Sequence, residues 1–125
     1  MSDRFLLDSD ICIYLLKDLS ARLSHRVRDQ AEGTLLLSAI SLAEIGLGVR
    51  VDAEQEVALG RLLTDVEVMA FDGKAAVRYA ALPFRRSRFD RLIAAHALAL
   101  DVTLVTNNVA DFADVPGLRV ENWTL

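Results

Sequence analysis

Cysteine is nearly absent. Cys12 stands alone in 125 residues, which excludes an intramolecular disulfide framework and any multi-cysteine zinc site, and it reads as a small buried thiol on an apolar helix. There are two prolines, Pro83 and Pro116, both in expected loops, and no Pro/Gly/Ser-rich linker, low-complexity stretch or internal repeat. No apolar run approaches the ~20 residues of a membrane span. The opening Met1-Ser2-Asp3-Arg4 leads into too few apolar residues before Asp8 to form a secretory h-region, so a cytoplasmic location is expected. An excess of positive charge is also missing. Fourteen Lys and Arg stand against 18 Asp and Glu, for a net charge of −4. This balance argues against coating nucleic acid by charge alone. It leaves room for a nuclease that gathers carboxylates around a metal and keeps its basic residues local, as in Arg85, Arg86, Arg88 and Arg91.

What is present is enough apolar material for a core. Hydrophobic residues make up 53% of the chain, which excludes intrinsic disorder. The length fits a single domain spanning 1–125.

Short apolar runs alternate with helical patterns. Strands are expected at Arg4–Leu7, Thr34–Leu37, Val66–Phe71 and Val102–Val105, with a short fifth at Leu118–Val120. Helices are expected to open at Ser9-Asp10 and to cover Ser20–Gln30. Ser41-Leu42-Ala43-Glu44 spells a capping box that starts a helix running to Arg50, and another follows over Asp52–Leu63. Asp72–Leu82 is helical and stops at Pro83. Arg88-Phe89-Asp90 opens a helix through Leu100. Alternation of this kind implies right-handed crossovers and a three-layer α/β/α architecture around a mainly parallel sheet of four to five strands. Sites in such sheets form outside the carboxyl ends of strands, at a topological switch point.

Those strand ends carry acids and oxygen donors. Asp8, Ser9 and Asp10 follow the first strand. Glu44 follows the second. Thr106, Asn107, Asn108 and Asp111 follow the fourth, and Asp90 opens the helix that feeds it. Each has a local explanation: Asp8 or Ser9 as an N-cap, Glu44 closing its capping box, Asp90 favouring the positive end of its helix, Asn108 capping a turn. Together they place several carboxylates at one sheet edge, where they repel and resist ionisation unless a cation joins them. Oxygen donors without a Cys or His cluster favour Mg²⁺ or Mn²⁺ over Zn²⁺.

Five segments carry a family resemblance: FLLDSDICIYLL at 5–16, SAISLAEIGLGV at 38–49, FDRLIAAHALAL at 89–100, TLVTNNVADF at 103–112 and VPGLRVENW at 115–123. In this order, over essentially the whole chain, they resemble the PIN-domain ribonucleases, and among them the VapC toxins of bacterial type II toxin–antitoxin modules. The resemblance implies a PIN-like fold and a Mg²⁺-dependent endoribonuclease, with Mn²⁺ as a substitute. It carries the first three acids onto Asp8, Glu44 and Asp90, as metal ligands and catalytic residues. It carries the following hydroxyl onto Ser9 and the Thr-x-Asn element onto Thr106 and Asn108. The fourth acid falls on Asn108, a neutral oxygen donor, and Asp111 lies three residues on; either is a candidate to complete the site. Ser9, Thr106, Arg85, Arg86 and Arg88 are candidate substrate contacts, the arginines through RNA phosphates or else as a solvated loop.

Two departures from the family pattern bear on this. Asp10 stands where relatives often have Asn, and helix capping is favoured over membership of the acid cluster. The segment between Tyr79 and Asp90 is compact where many relatives carry an insertion, which puts substrate identity in doubt. His96 lies six residues after Asp90, well off its helical face, and reads as a packing or interface histidine. His25 falls in an expected surface helix, and no Ser-His-Asp signature is present.

The implied mechanism is attack of a metal-activated water on phosphorus, leaving a 5′-phosphate and a 3′-hydroxyl. The implied partners are RNA, a VapB-type antitoxin whose C-terminal segment obstructs the acidic site, and a second copy in a homodimer. A toxin–antitoxin hetero-oligomer would reach operator DNA only through the antitoxin. No membrane partner is implied.

Three other readings compete. Asp8-Ser9-Asp10 with Leu104–Asn107 looks like a haloacid-dehalogenase-type phosphatase, but no lysine or paired acids follow Thr106. A receiver domain would need a lysine after its later strands, and none is there. A catalytically weakened PIN domain acting as an RNA- or protein-binding module draws support from Asn108 alone and is opposed by intact Asp8, Glu44 and Asp90.

Overall fold

The computed structural model describes residues 3–49, 52–83 and 88–125, with the Val49 and Arg88 side chains outside that description. The strands are β1 Phe5–Leu7, β2 Leu35–Ser38, β3 Glu67–Met69, β4 Thr103–Val105 and β5 Val120–Glu121. The helices are α1 Ser9–Leu16, α2 Ala21–Arg28, α3 Ala39–Val49, α4 Ala53–Asp65, α5 Gly73–Ala80 and α6 Arg88–Leu100, with a 3₁₀ turn at Val109–Phe112. The strands form one sheet in the order β3-β2-β1-β4-β5, parallel at every pairing. This is the expected three-layer architecture with five strands.

Alternation along the strands explains the layers. Leu7, Leu35, Leu37 and Val105 point to one face, where Ile11, Cys12, Leu23, Ile45, Leu62 and Trp123 cover them. Leu6, Leu36 and Leu104 point to the other, beneath Ile93, Ala94, Ala97, Phe112 and Val115. A strand buried on both faces needs the unbroken apolar runs seen in the sequence. Cys12 is fully buried, and burial raises its thiol pKa well above the ordinary range, so it is inert packing. No helix among the described residues is long and apolar enough to cross a membrane.

Helix starts follow their caps. Ser20, Asp52 and Asp72 each accept a backbone N–H from the first turn of α2, α4 and α5. Among the helix starts whose preceding residues are described, the exception is α3. It begins at Ala39, not Ser41, because β2 runs into the helix through Ser38, whose Oγ accepts the Ile40 N–H at 3.1 Å. Ser41 is buried inside the helix with its hydroxyl unpartnered, and the expected capping box does not form. A second expectation also fails. Arg91 does not join a solvated basic patch: it is buried, and its Nη2 reaches both carboxylate oxygens of Asp114, at 2.8 and 2.9 Å.

The sheet order places a switch point at β1. The chain moves to β2 on one side and returns to β4 on the other, opening a crevice above Leu7 and Val105. The C-terminal segment is tied beneath the sheet edge. Trp123 is fully buried, meets Phe5 edge-on with ring centroids 4.9 Å apart, and lies under the Arg26 guanidinium at 4.8 Å. Truncating it should leave a large cavity. Trp123→Ala is expected to cost about 3–5 kcal/mol in chemical denaturation. An unchanged midpoint would mean that this segment is not part of the core.

Candidate active site

A cavity of about 220 Å³ opens at the carboxyl end of β1, lined by Asp8, Ser9, Asp10, Ile13, Glu44, Phe89, Asp90, Ile93 and Asn108. Its side chains come from four directions. Asp8 ends β1 and caps α1. Glu44 comes from the second turn of α3, Asp90 from the first turn of α6 and Asn108 from the loop after β4. Of the expected catalytic residues, Asp8, Glu44, Asp90 and Asn108 are thus brought together. Asp111, in the 3₁₀ turn, does not line the cavity. Arg85 and Arg86, and the Arg88 side chain, lie outside the described residues.

Asp8 is the fixed point. It is 6% exposed, and its oxygens are held separately: Oδ1 accepts the Ser9 N–H at 2.8 Å and Oδ2 accepts the Thr106 hydroxyl at 2.8 Å. Ser9 in turn donates its hydroxyl to Glu44 Oε1 at 2.7 Å. The Ser9 and Thr106 hydroxyls, expected to face substrate, therefore each engage a carboxylate. They link β1, α3 and β4 into one acidic cradle.

Asp10 was expected to cap its helix. The cap is Asp8, and Asp10 enters the cavity instead. Its Oδ2 accepts the Asn107 backbone N–H at 3.1 Å and the Asn108 amide at 3.0 Å, whereas Oδ1 is buried and makes no hydrogen bond. Its place next to a helix start reads as a cap because its hydrogen-bond partners, Asn107 and Asn108, lie at the far end of the chain. An acid two residues after the first motif acid was the available signal.

Burial raises the Asp8 pKa from its ordinary 3.8 to about 7, with Asp10 adding repulsion and the Thr106 and Ser9 donors pulling the other way. Burial likewise raises Asp10, against the Asn107 N–H that lowers it. Among the described residues, no group of three or more His, Cys, Asp or Glu side chains is placed to hold a metal ion as it stands. The residues nevertheless suit a hard divalent cation. Their donors are all oxygen, one buried oxygen is orphaned, and no Lys or Arg among the described residues lines the cavity.

His96 takes no part in this cavity. It is buried, its Nδ1 lies 2.8 Å from Ser38 Oγ, its ring meets Phe71 edge-on at 5.3 Å, and burial lowers its pKa.

Comparison with known proteins agrees with this geometry. The PIN domain profile matches residues 5–118, so the chain belongs to the PIN-domain family. Ribonuclease VapC2 of Rickettsia felis is 32% identical over 95% of this chain and 97% of its own. The tRNA(fMet)-specific endonuclease VapC of Shigella flexneri is 29% identical over 97% of this chain and 98% of its own. Among solved structures, VapBC2 from Rickettsia felis, bound to a DNA fragment from their promoter, superposes with a TM-score of 0.83 at 28% identity, covering 95% of this chain and 98% of that one. These relatives occupy the VapC branch of the family, the one expected from the five segments.

The raised acid pair makes a prediction for the metal-free chain. Between the ordinary carboxyl pKa and about 7, the folded state keeps a proton on Asp8 that the unfolded state releases, so folding stability falls as pH rises through this window. In EDTA the melting temperature should decline from pH 5 to pH 8, and Asp8→Asn should flatten the decline. A rising or flat curve for the parent chain would contradict the assignment.

Proposed function

We propose that this chain is the toxin of a VapBC-type module, an endoribonuclease that hydrolyses RNA phosphodiester bonds with Mg²⁺ held by Asp8, Glu44 and Asp90. The observation that carries the reading is the cavity at the sheet switch point, where carboxylates from β1, α3 and α6 converge in a chain of the PIN family. Mn²⁺ has similar oxygen-ligand preferences and serves as a substitute. When bound, the cation supplies charge neutralisation at the phosphoryl group and lowers the pKa of water.

The chain's own residues do the rest. Thr106 and the Ser9 N–H hold the two Asp8 oxygens in separate orientations at the cavity, and the Ser9 hydroxyl fixes Glu44 beside them. The phosphodiester is oriented so that water attacks phosphorus opposite the 3′ oxygen. The new P–O bond forms as the P–O3′ bond breaks, and the leaving oxygen takes up a proton, giving a 5′-phosphate and a 3′-hydroxyl. Cys12 is buried away from solvent, so no protein thiol is involved. Arg85, Arg86 and Arg88, just before Asp90 in the sequence, supply phosphate contacts that position the strand.

An acidic cavity also suits inhibition. The partner is a VapB-type antitoxin whose basic side chain enters the cavity, and DNA binding belongs to the antitoxin in the assembled complex. The similarity to the VapBC2 complex supports this assignment. The enzyme acts in the cytoplasm, where its RNA is.

Purified, antitoxin-free protein should cut total cellular RNA into discrete fragments with Mg²⁺ or Mn²⁺. Cutting should stop with EDTA and fall by on the order of 10²-fold or more in Asp8→Asn. Absence of cleavage by folded protein in both metals would favour a binding-module role instead.

A further inference from the structure

Asp10 is not among the acids that the family resemblance carries over, yet its setting is that of a ligand. Its Oδ2 is engaged by the Asn107 N–H and the Asn108 amide. Its Oδ1 is buried inside the cavity wall with no hydrogen bond. Asp8, whose two oxygens already accept from Ser9 and Thr106, lines the same cavity. A buried orphan oxygen next to a second carboxylate is a costly arrangement unless a proton or a cation lies between them.

Asp10 is also held so that it cannot easily turn away. The Asn107 side chain donates to the Tyr14 hydroxyl at 3.1 Å and accepts from Thr124 Oγ1 at 3.1 Å and Asn122 Nδ2 at 3.5 Å. Those two residues flank the buried Trp123. The backbone N–H that grips Asp10 Oδ2 is thus fixed from the far side by the C-terminal segment. Asn108, a neutral side chain, uses its amide to hold the Asp10 carboxylate, and its own N–H is taken by Thr106 Oγ1 at 3.0 Å. Asp111, the next acid along, does not line the cavity.

We infer that Asp10 is an additional ligand of the divalent cation, and that the Asp10–Asn108 pair provides the site's fourth carboxylate from α1 rather than from the loop after β4. The inference rests on the metal-dependent reading above. It has a structural corollary: a carboxylate at 10 with an amide at 108, or the reverse, puts the same charge across the same hydrogen bond.

The test is Mn²⁺ binding by calorimetry on the full purified chain, with melting temperature in EDTA as a check of folding. Asp10→Asn is close to isosteric and removes one of two crowded charges, so it should melt in EDTA at or above the parent temperature. It should bind Mn²⁺ about tenfold more weakly or worse. The swapped chain, Asp10→Asn with Asn108→Asp, should recover affinity to within about threefold of the parent. A smaller loss in Asp10→Asn overturns the inference and leaves Asp10 as a tether for the 107–108 loop. If Asp10→Asn does not fold, the swapped chain decides: recovered affinity supports the inference and lost affinity overturns it. Binding by the parent that Asp8→Asn abolishes and Asp10→Asn keeps overturns this inference alone. No Mn²⁺ binding by the parent overturns both this inference and the reading beneath it.

Discussion

Two carboxylates side by side at the end of a central, fully buried strand cannot both carry full charge without compensation, and much of the molecule is arranged around that fact. Asp8 follows Leu7, which sits in the core with no exposure, so its carboxylate cannot retreat to water without unpairing β1. Asp10 arrives beside it because the helix starts immediately after the strand. The surrounding donors offset only part of the cost. Ser9 and Thr106 satisfy Asp8, Asn107 and Asn108 satisfy one side of Asp10, and one oxygen remains over. A divalent cation is the compensation that fits the donors.

The fold serves this centre by bringing distant segments to one crevice. A parallel sheet with β1 in the middle sets the ends of β1 and β4 side by side and brings the helices after β2 and before β4 across them. Positioning then runs through hydroxyls and amides. Ser9 reaches Glu44, Thr106 reaches Asp8, and Asn107 connects Asp10 to the C-terminal residues around Trp123. Under the proposed function, a cation would meet carboxylates whose hydrogen-bond partners are already in place.

The sequence made the strands and the acids legible for physical reasons. Runs such as Leu35–Leu37 have no alternation because both faces are buried, and Asp8, Glu44 and Asp90 stand out as acids beside apolar segments. Local rules failed where a tertiary partner overrode them. Ser41 and Glu44 have the spacing of a capping box, yet Glu44 meets Ser9, 35 positions away, and Ser38 takes over the start of α3. Arg91 reads with its neighbours as a basic patch, yet pairs with Asp114, 23 positions away. Asp10 reads as a helix cap because its partners, Asn107 and Asn108, sit at the far end of the chain. Single-sequence patterns see neighbours on one element; these contacts join elements that only the sheet order makes adjacent.

The most direct test of the account is where a cation sits. Crystals of the chain grown with Mn²⁺ should show an anomalous peak in the crevice, with carboxylate oxygens of Asp8 and Asp10 at about 2.0–2.3 Å and Glu44 or Asp90 reached directly or through water. A peak elsewhere on the surface, or ordered Asp8 and Asp10 carboxyls with no peak between them at saturating Mn²⁺, would contradict it.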